Sequence, residues 1–596
     1  MAYDTIIRNG RWFDGTGAAS AIRDIGIRDG RVSAVGVDLD TDGCPDIVDA
    51  TGKWVVPGFL DIHTHYDIEV LEGPALAESV RHGVTTVALG SCSISTVHAD
   101  PVVAGDLFGR VEAIPRAHVI RSLDANKSWN SAREYIAALE NRPLGPNVCS
   151  FIGHSDMRAA VMGLERSTDD AIRPTASELT QMESMLRDAL DQGFVGLSTN
   201  QLRFDKLDGE TCRSRTLPST YSKFRENRRL KGIVRKRGRV LQSAPDIKNP
   251  FDIAIQAFTS MAGLYRRPLK TTLLAAADVK SNPLSPYLLR GMAGTANRAG
   301  ADVRFQHLPV PFTVYADGID FVIFEEFGSG QVAMHLTDCV TRDELMRDES
   351  YRRWFRKDYE QKFGIRVWHR DFFDAEITDC PDPSVIGKSF GQVGVERGGV
   401  HPVDAFLDLV LEHGKALRWY TTISNHRPDV LKTFAAADWV QLGFSDAGAH
   451  LRNMAFYNMG LRLLRHVRDA ERAGAPFMSV ERAIHRLSGE LADWYDIDAG
   501  HLRVGDRADL SVIDPEHLDS SLETYSEDPV EQYGGLSRMV NRNDAAVSAV
   551  FIAGTRVVDE GVPTPALGTT RTGSFLRAGE ASRTSPSAVA VSVSVS

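Results

Sequence analysis

Pro57-Gly58-Phe59-Leu60-Asp61-Ile62-His63-Thr64-His65 is an apolar run that closes in two histidines one residue apart. On a β-strand, positions i and i+2 face one side, so both imidazoles project into one cavity at the strand's C-terminal end, where barrel enzymes place their active sites. Such a pair suits a divalent metal ion. Two ordinary strand histidines would share the spacing, but the β-rich prologue and the Pro-Gly turn ahead of the run favour the metal.

Upstream, the stretch from Tyr3 to Val56 alternates short β-type runs with Asn-Gly and Asp-Gly turns, a strong local hairpin signal. The same grammar returns near the far end in HLRVGDRADLSVIDP and AAVSAVFIAGTRVVDEG. We therefore expect residues 1–56 and 495–564 to meet in one composite β-sandwich domain. Between them, short β-branched runs alternate with longer amphipathic stretches, among them AFLDLVLEHG followed by ALRWYTTIS, which predicts a (β/α)8 barrel over 57–494. No Gly-rich phosphate-binding motif opens any of these units. Residues 336–400, dense in charge and aromatics without a clear strand, read as an insertion near the barrel mouth, and 565–596 as a disordered Ser/Ala/Val-rich tail.

The whole-chain figures agree with a soluble enzyme of a small molecule. With 68 Lys and Arg against 79 Asp and Glu, 596 residues carry a net charge of −11, which argues against nucleic acid or an anionic membrane as partner. The basic run Arg213 to Arg239 is interleaved with Leu, Ile, Val and Phe at near-helical spacing and reads as a solvated helix face. Six scattered cysteines form no CxxC pair, and no leader or long apolar run is present, so a reducing, cytoplasmic location is expected. Nothing in the sequence fixes the oligomeric state, and a homo-oligomer is compatible with it.

Together with several stretches downstream, the His63/His65 pair resembles the amidohydrolase superfamily of metal-dependent hydrolases, whose first barrel strand ends in HxH. Val84 to Ser93 (VTTVALGSCS), Phe151-Ile152-Gly153-His154 with Val161-Met162-Gly163, Gly193 to Thr199, and Gly387-Lys388-Ser389 are similar to the N-acyl-D-amino-acid deacylase branch. That resemblance covers nearly all of the chain to about residue 560. It implies that Cys92 takes the metal-bridging place that a carboxylated lysine or glutamate fills elsewhere. Taken alone, Cys92 would be a buried structural thiol, but a thiolate beside imidazoles makes a good zinc site. Gly443 to His450 (GFSDAGAH) resembles the family's last catalytic strand, which makes Asp446 a metal ligand and proton carrier; a simple turn closing a strand is the other reading. Arg452 resembles an arginine that grips the substrate carboxylate, and a guanidinium suits that task. His307 stands where relatives carry a tyrosine that helps hold substrate, and His154 lies at a strand end that would line the same mouth.

The chain also departs from the pattern. The branch places two more metal-binding histidines in stretches that match Val240-Leu241-Gln242-Ser243-Ala244 and Lys270-Thr271-Thr272-Leu273-Leu274, and neither contains a histidine. The surviving ligand set is His63, His65, Cys92 and Asp446, so one divalent ion per chain, zinc first, is expected. The resulting expectation is a metal-dependent amidohydrolase acting on N-acyl-D-amino acids or related anionic small amides. Hydrolysis of a cyclic amide or imide, and a non-catalytic barrel serving as a binding module, are the alternatives.

Overall fold

Trp54, Val55 and Val56 are buried, and their strand, Trp54–Pro57, pairs antiparallel with Leu510–Ile513 from the other end of the chain. The computed structural model describes residues 2–246, 255–256, 258–262, 266–361 and 366–580. Strands Thr5–Trp12, Ala21–Arg28, Arg31–Gly36 and Asp46–Asp49 join Val547–Ile552, Thr555–Asp559 and Val562–Pro563 in the same nine-stranded sheet. Both ends of the chain thus build one β-domain. Ile7, Ile25, Ile27, Val55, Leu510, Val512 and Phe551 form its core, and full burial of each such side chain contributes about 1.5–3 kcal/mol.

The sheet leads directly into the barrel. Gly58 donates its N–H to Asp509 O at 2.9 Å, and a Cβ at this glycine would lie 2.0 Å from Thr85 Oγ1, so only glycine fits the junction. The first barrel strand follows as Phe59–Asp61, continued by His63–Thr64. Val84–Leu89, Asn147–Gly153, Gly196–Asn200, Val240–Ala244, Lys270–Leu273 and Asp302–Gln306 come next, each parallel to its neighbour. The eighth strand, Val440–Gln441 continued by Phe444–Ala447, pairs with the seventh and then with the first, Phe444 opposite His63 and Ala447 opposite Thr64. The ring closes there, completing a (β/α)8 barrel. Most strand positions are buried on both faces, as expected for parallel strands sheathed in helices. Ala176–Asp191 is one such helix: a Thr175/Glu178 capping box starts it, and Leu179, Met182, Leu186 and Leu190 form its buried stripe.

Two expectations need correction. The insertion is wider than 336–400: it leaves the barrel after the seventh strand and has its own apolar core, in which Phe372 and Phe406 stack at 4.7 Å beside Trp368 and Trp419. Its three-stranded antiparallel sheet contains Phe312–Asp317, Arg418–Ser424 and Glu376–Asp379, so the stretch RWYTTIS belongs to the insertion and not to the barrel. The expected loose tail is ordered through residue 580. Val148 donates to Ser574 O and accepts from Leu576 N–H, and Phe575 is buried, because two large apolar side chains give this segment something to bury. The remainder of the expected tail, 581–596, lies outside the described residues. No helix among the described residues is long and apolar enough to cross a membrane.

Candidate metal centre

His63 and His65 stand at the C-terminal end of the first barrel strand, Cys92 in the loop after the second, and Asp446 within the eighth. The loop that carries Cys92 turns through left-handed backbone at Gly90, Cys92 and Ser93. Side chains of neighbouring strands hold it: Cys92 N–H donates to Gln242 Oε1 at 3.0 Å, and Ser93 N–H to Ser198 Oγ at 3.1 Å. Asp446 itself has φ +61, a conformation that costs a non-glycine residue on the order of 1–3 kcal/mol and is enriched at functional sites. Gly448, at φ +91, lets the eighth strand's exit pass against His65, where a Cβ would sit 2.7 Å from the His65 carbonyl carbon.

These turns bring four side chains together. His63 Nε2 is 3.3 Å from Cys92 Sγ and 3.5 Å from Asp446 Oδ1, and His65 Nε2 is 3.3 Å from the same Asp446 oxygen. Among the described residues, His63, His65 and Cys92 are the one set of three metal-binding side chains whose donor atoms all lie within 4.8 Å of one another. Bonds of 2.0–2.3 Å to zinc in tetrahedral array imply donor–donor edges of about 3.3–3.7 Å. The His63–Cys92, His63–Asp446 and His65–Asp446 spacings fall in that range. His63 Nδ1–H donates to Gln306 Oε1 at 2.8 Å, which fixes the tautomer and leaves Nε2 as the donor facing the cluster.

The electrostatics agree with a site built for a cation. Burial pushes the His63 ring down to about 4, so it is a neutral nitrogen donor. Burial also opposes charge on Asp446, yet the His65 hydrogen bond and the nearby His63, His65 and His450 rings hold its carboxyl well below the ordinary range. Burial, reinforced by Glu112 and Asp446, raises the Cys92 thiol well above its usual value. A thiolate is favoured there only beside a positive charge, which a divalent ion supplies. The residues present therefore fit such an ion.

The sequence profile of the amidohydrolase family matches residues 46–230. The chain belongs to the amidohydrolase family. An uncharacterised protein of Mycobacterium tuberculosis (strain ATCC 25618 / H37Rv) is 55% identical to this amidohydrolase over 94% of its chain and 92% of the relative. N-acyl-D-glutamate deacylase of Alcaligenes xylosoxydans xylosoxydans is 35% identical over 33% of this chain and 37% of its own. Among solved structures, N-acyl-D-glutamate deacylase from Bordetella bronchiseptica, complexed with zinc and a phosphonate inhibitor that mimics its tetrahedral intermediate, shares the fold. Its TM-score is 0.63 at 22% identity, over 97% of this chain and 100% of that one.

Other expected contributors to the amidohydrolase site have different employment. Arg452, expected to present a guanidinium to a substrate carboxylate, is instead paired with Asp317 of the insertion at 2.8 Å and with Glu527 of the C-terminal segment. His154 has both ring nitrogens engaged, with Thr199 Oγ1 at 3.1 Å and Glu226 Oε1 at 2.8 Å. His307 bonds Ala276 O through Nδ1 at 2.7 Å and packs on Phe434, with Nε2 unpartnered and burial lowering its pKa to about 4. Neither histidine joins the cluster.

Gln242, in the strand for which the resemblance implied a histidine, reaches the Cys92 loop through its side chain. Thr272 on the sixth strand bonds Gln441. Sequence reasoning missed Glu112, whose Oε2 is 3.4 Å from His65 Nε2 and 3.9 Å from His450 Nε2. No periodicity marks Glu112, which sits in the irregular segment Arg110 to Pro115. His450 lies inside the GFSDAGAH stretch, so its spacing from Asp446 was the available signal.

Proposed function

We propose that the protein is a metal-dependent amidohydrolase that cleaves the amide bond of N-acyl amino acids, N-acyl-D-amino acids foremost, or of related small amides carrying a carboxylate. The observation that carries this reading is the convergence of His63, His65 and Cys92 at the C-terminal mouth of the barrel, with donor atoms all within 4.8 Å of one another and Asp446 Oδ1 3.5 and 3.3 Å from the two imidazoles. The deacylase relatives support the substrate class. When bound, such an ion supplies Lewis-acid polarisation of the amide carbonyl and brings the pKa of water toward 7.

The protein's own groups perform the remaining work. Asp446 stays ionised, so its carboxylate can accept the proton that the attacking water loses and return it to the leaving nitrogen. Gln306 keeps the His63 ring in register. Phe444, part of the insertion's apolar cluster, packs on the His63 ring at 4.6 Å and limits water beside it.

The test is a panel of N-acetyl-D- and N-acetyl-L-amino acids offered to zinc-loaded protein, with amine release measured before and after chelation. Chelator-sensitive release is expected, and Asp446→Asn should lower kcat by about 100- to 10,000-fold, the usual worth of a positioned acid–base group. Absence of release from every substrate, or full activity in Asp446→Asn, would overturn the proposal.

A further inference from the structure

Besides the first strand with its two histidines, the chain segments that carry Cys92 and Asp446 each bring a second residue close to the centre. The segment after the second barrel strand delivers Cys92 and then, past the helix Pro101–Gly109, Glu112. The eighth strand delivers Asp446, and the loop after it His450. The loops are tied at that point by their backbones, with His450 N–H donating to Glu112 O at 2.7 Å. Val111 and Ile114 are buried on either side of Glu112, which fixes the segment in place.

The carboxylate of Glu112 is 2% exposed and, among the described residues, pairs with His65 and His450 and with no arginine or lysine. His450 is 6% exposed and its Nδ1 has no partner. A carboxylate enclosed this way is costly unless a cation faces it; burial opposes charge on the His65 ring, but Glu112 and Asp446 raise it to about 9, so that ring takes this part unless a metal ion displaces its proton. The donors form an unbroken arc, Cys92 to His63 to Asp446 to His65 to Glu112, with successive spacings of 3.3, 3.5, 3.3 and 3.4 Å. Each successive spacing lies in the range of neighbouring ligands of one ion, about 3.3–3.7 Å, while, among the described residues, His63, His65 and Cys92 alone have donor atoms all within 4.8 Å of one another, so Glu112 adjoins that set through His65.

We propose that Glu112 is a further ligand of this centre, an anionic donor beside His65. This assignment rests on the metal-dependent reading of the protein.

The experiment compares full-length wild type with Glu112→Gln and Glu112→Asp, each stripped by dialysis against chelator and titrated with zinc alone in competition with a chromophoric chelator. Zinc content after gel filtration and the melting temperature of each stripped protein are also measured. Expected are one zinc per wild-type chain, affinity about 10- to 100-fold weaker in Glu112→Gln, and partial recovery in Glu112→Asp. Stripped Glu112→Gln should melt at or above stripped wild type, since it no longer buries a carboxylate beside Asp446. Zinc affinity unchanged in Glu112→Gln would overturn the proposal, as would a marked fall in the melting temperature of that stripped variant, which would mark Glu112 as a structural partner of His65. Two zinc ions in wild type and one in Glu112→Gln would overturn the shared-ion assignment. Wild type that binds no zinc would instead overturn the metal-dependent reading itself.

Discussion

Among single residues, the HxH pair, Cys92 and Asp446 were legible because each sits at or just beyond a strand end, where period-2 geometry and motif fix which way a side chain faces. Their supports were not. Gln306 orients His63 from the seventh strand, next but one around the ring yet 243 positions along the chain, and only the closed ring brings the two together. Replacing Gln306 by leucine removes the Nδ1 partner without touching a proposed ligand, so zinc affinity should fall by about 10- to 100-fold, the usual effect of losing an outer-shell partner. A chelator-competition titration measures this, and unchanged affinity would show that the His63 ring is held by packing alone. Arg452 marks the limit of motif reasoning. The residue type suits a substrate carboxylate, but the folded chain offers it Asp317 and Glu527 first. Arg452→Met should therefore leave KM within about threefold and lower stability by about 1 kcal/mol or less, the scale of half-exposed ion pairs. A tenfold rise in KM with kcat preserved would restore it as a carboxylate clamp.

Among the elements, the barrel is readable from strand-then-helix alternation, while the insertion differs from its expected bounds at both edges. Arg418–Ser424 looks like a barrel strand in sequence because it is short and β-branched. Its burial, however, alternates along most of its length, with Trp419, Thr421 and Ile423 inward, whereas Asn147–Gly153 and Val240–Ala244 are buried throughout. That contrast separates an antiparallel strand with one covered face from a parallel strand covered on both, and the alternation is present in the sequence. The C-terminal segment departs from expectation for the opposite reason. Its composition is that of a tail, yet Phe575 packs at a tilt against Phe194, ring centres 5.7 Å apart, and the backbone adds to the start of the third barrel strand. Phe575→Ala should cost about 3–5 kcal/mol in urea unfolding, as for other buried phenylalanines. A loss below about 1 kcal/mol, the scale of a surface substitution, would show the segment to be a loose appendage after all.

In the molecule as a whole, the composite sheet and the barrel share a single covalent path, Trp54–Pro57 to Gly58 to Phe59, so the strand that presents His63 and His65 is anchored at its base by both chain ends. Its other end opens among buried acids. Burial pushes Asp67 and Asp205 up to about 6, Asp61 up to about 7 and Glu112 up to about 8, a cost the fold carries wherever no cation offsets it. A divalent ion that binds only the folded state stabilises it by RT ln(1 + [M]/Kd), about 2.7 kcal/mol at a hundredfold excess over Kd. With an unfolding entropy of about 2.1 cal/mol/K per residue, a chain of 596 residues converts that into a melting temperature about 2 °C higher. Scanning calorimetry of stripped protein with and without zinc reads the shift directly. Zinc should raise the transition, and adding excess chelator should return it. Asp446→Asn should show a smaller rise because one anionic donor is gone. Identical transitions with and without zinc, at concentrations that saturate a chelator-competition titration, would mean that the ion binds folded and unfolded chains equally and that the buried acids are balanced by the protein alone.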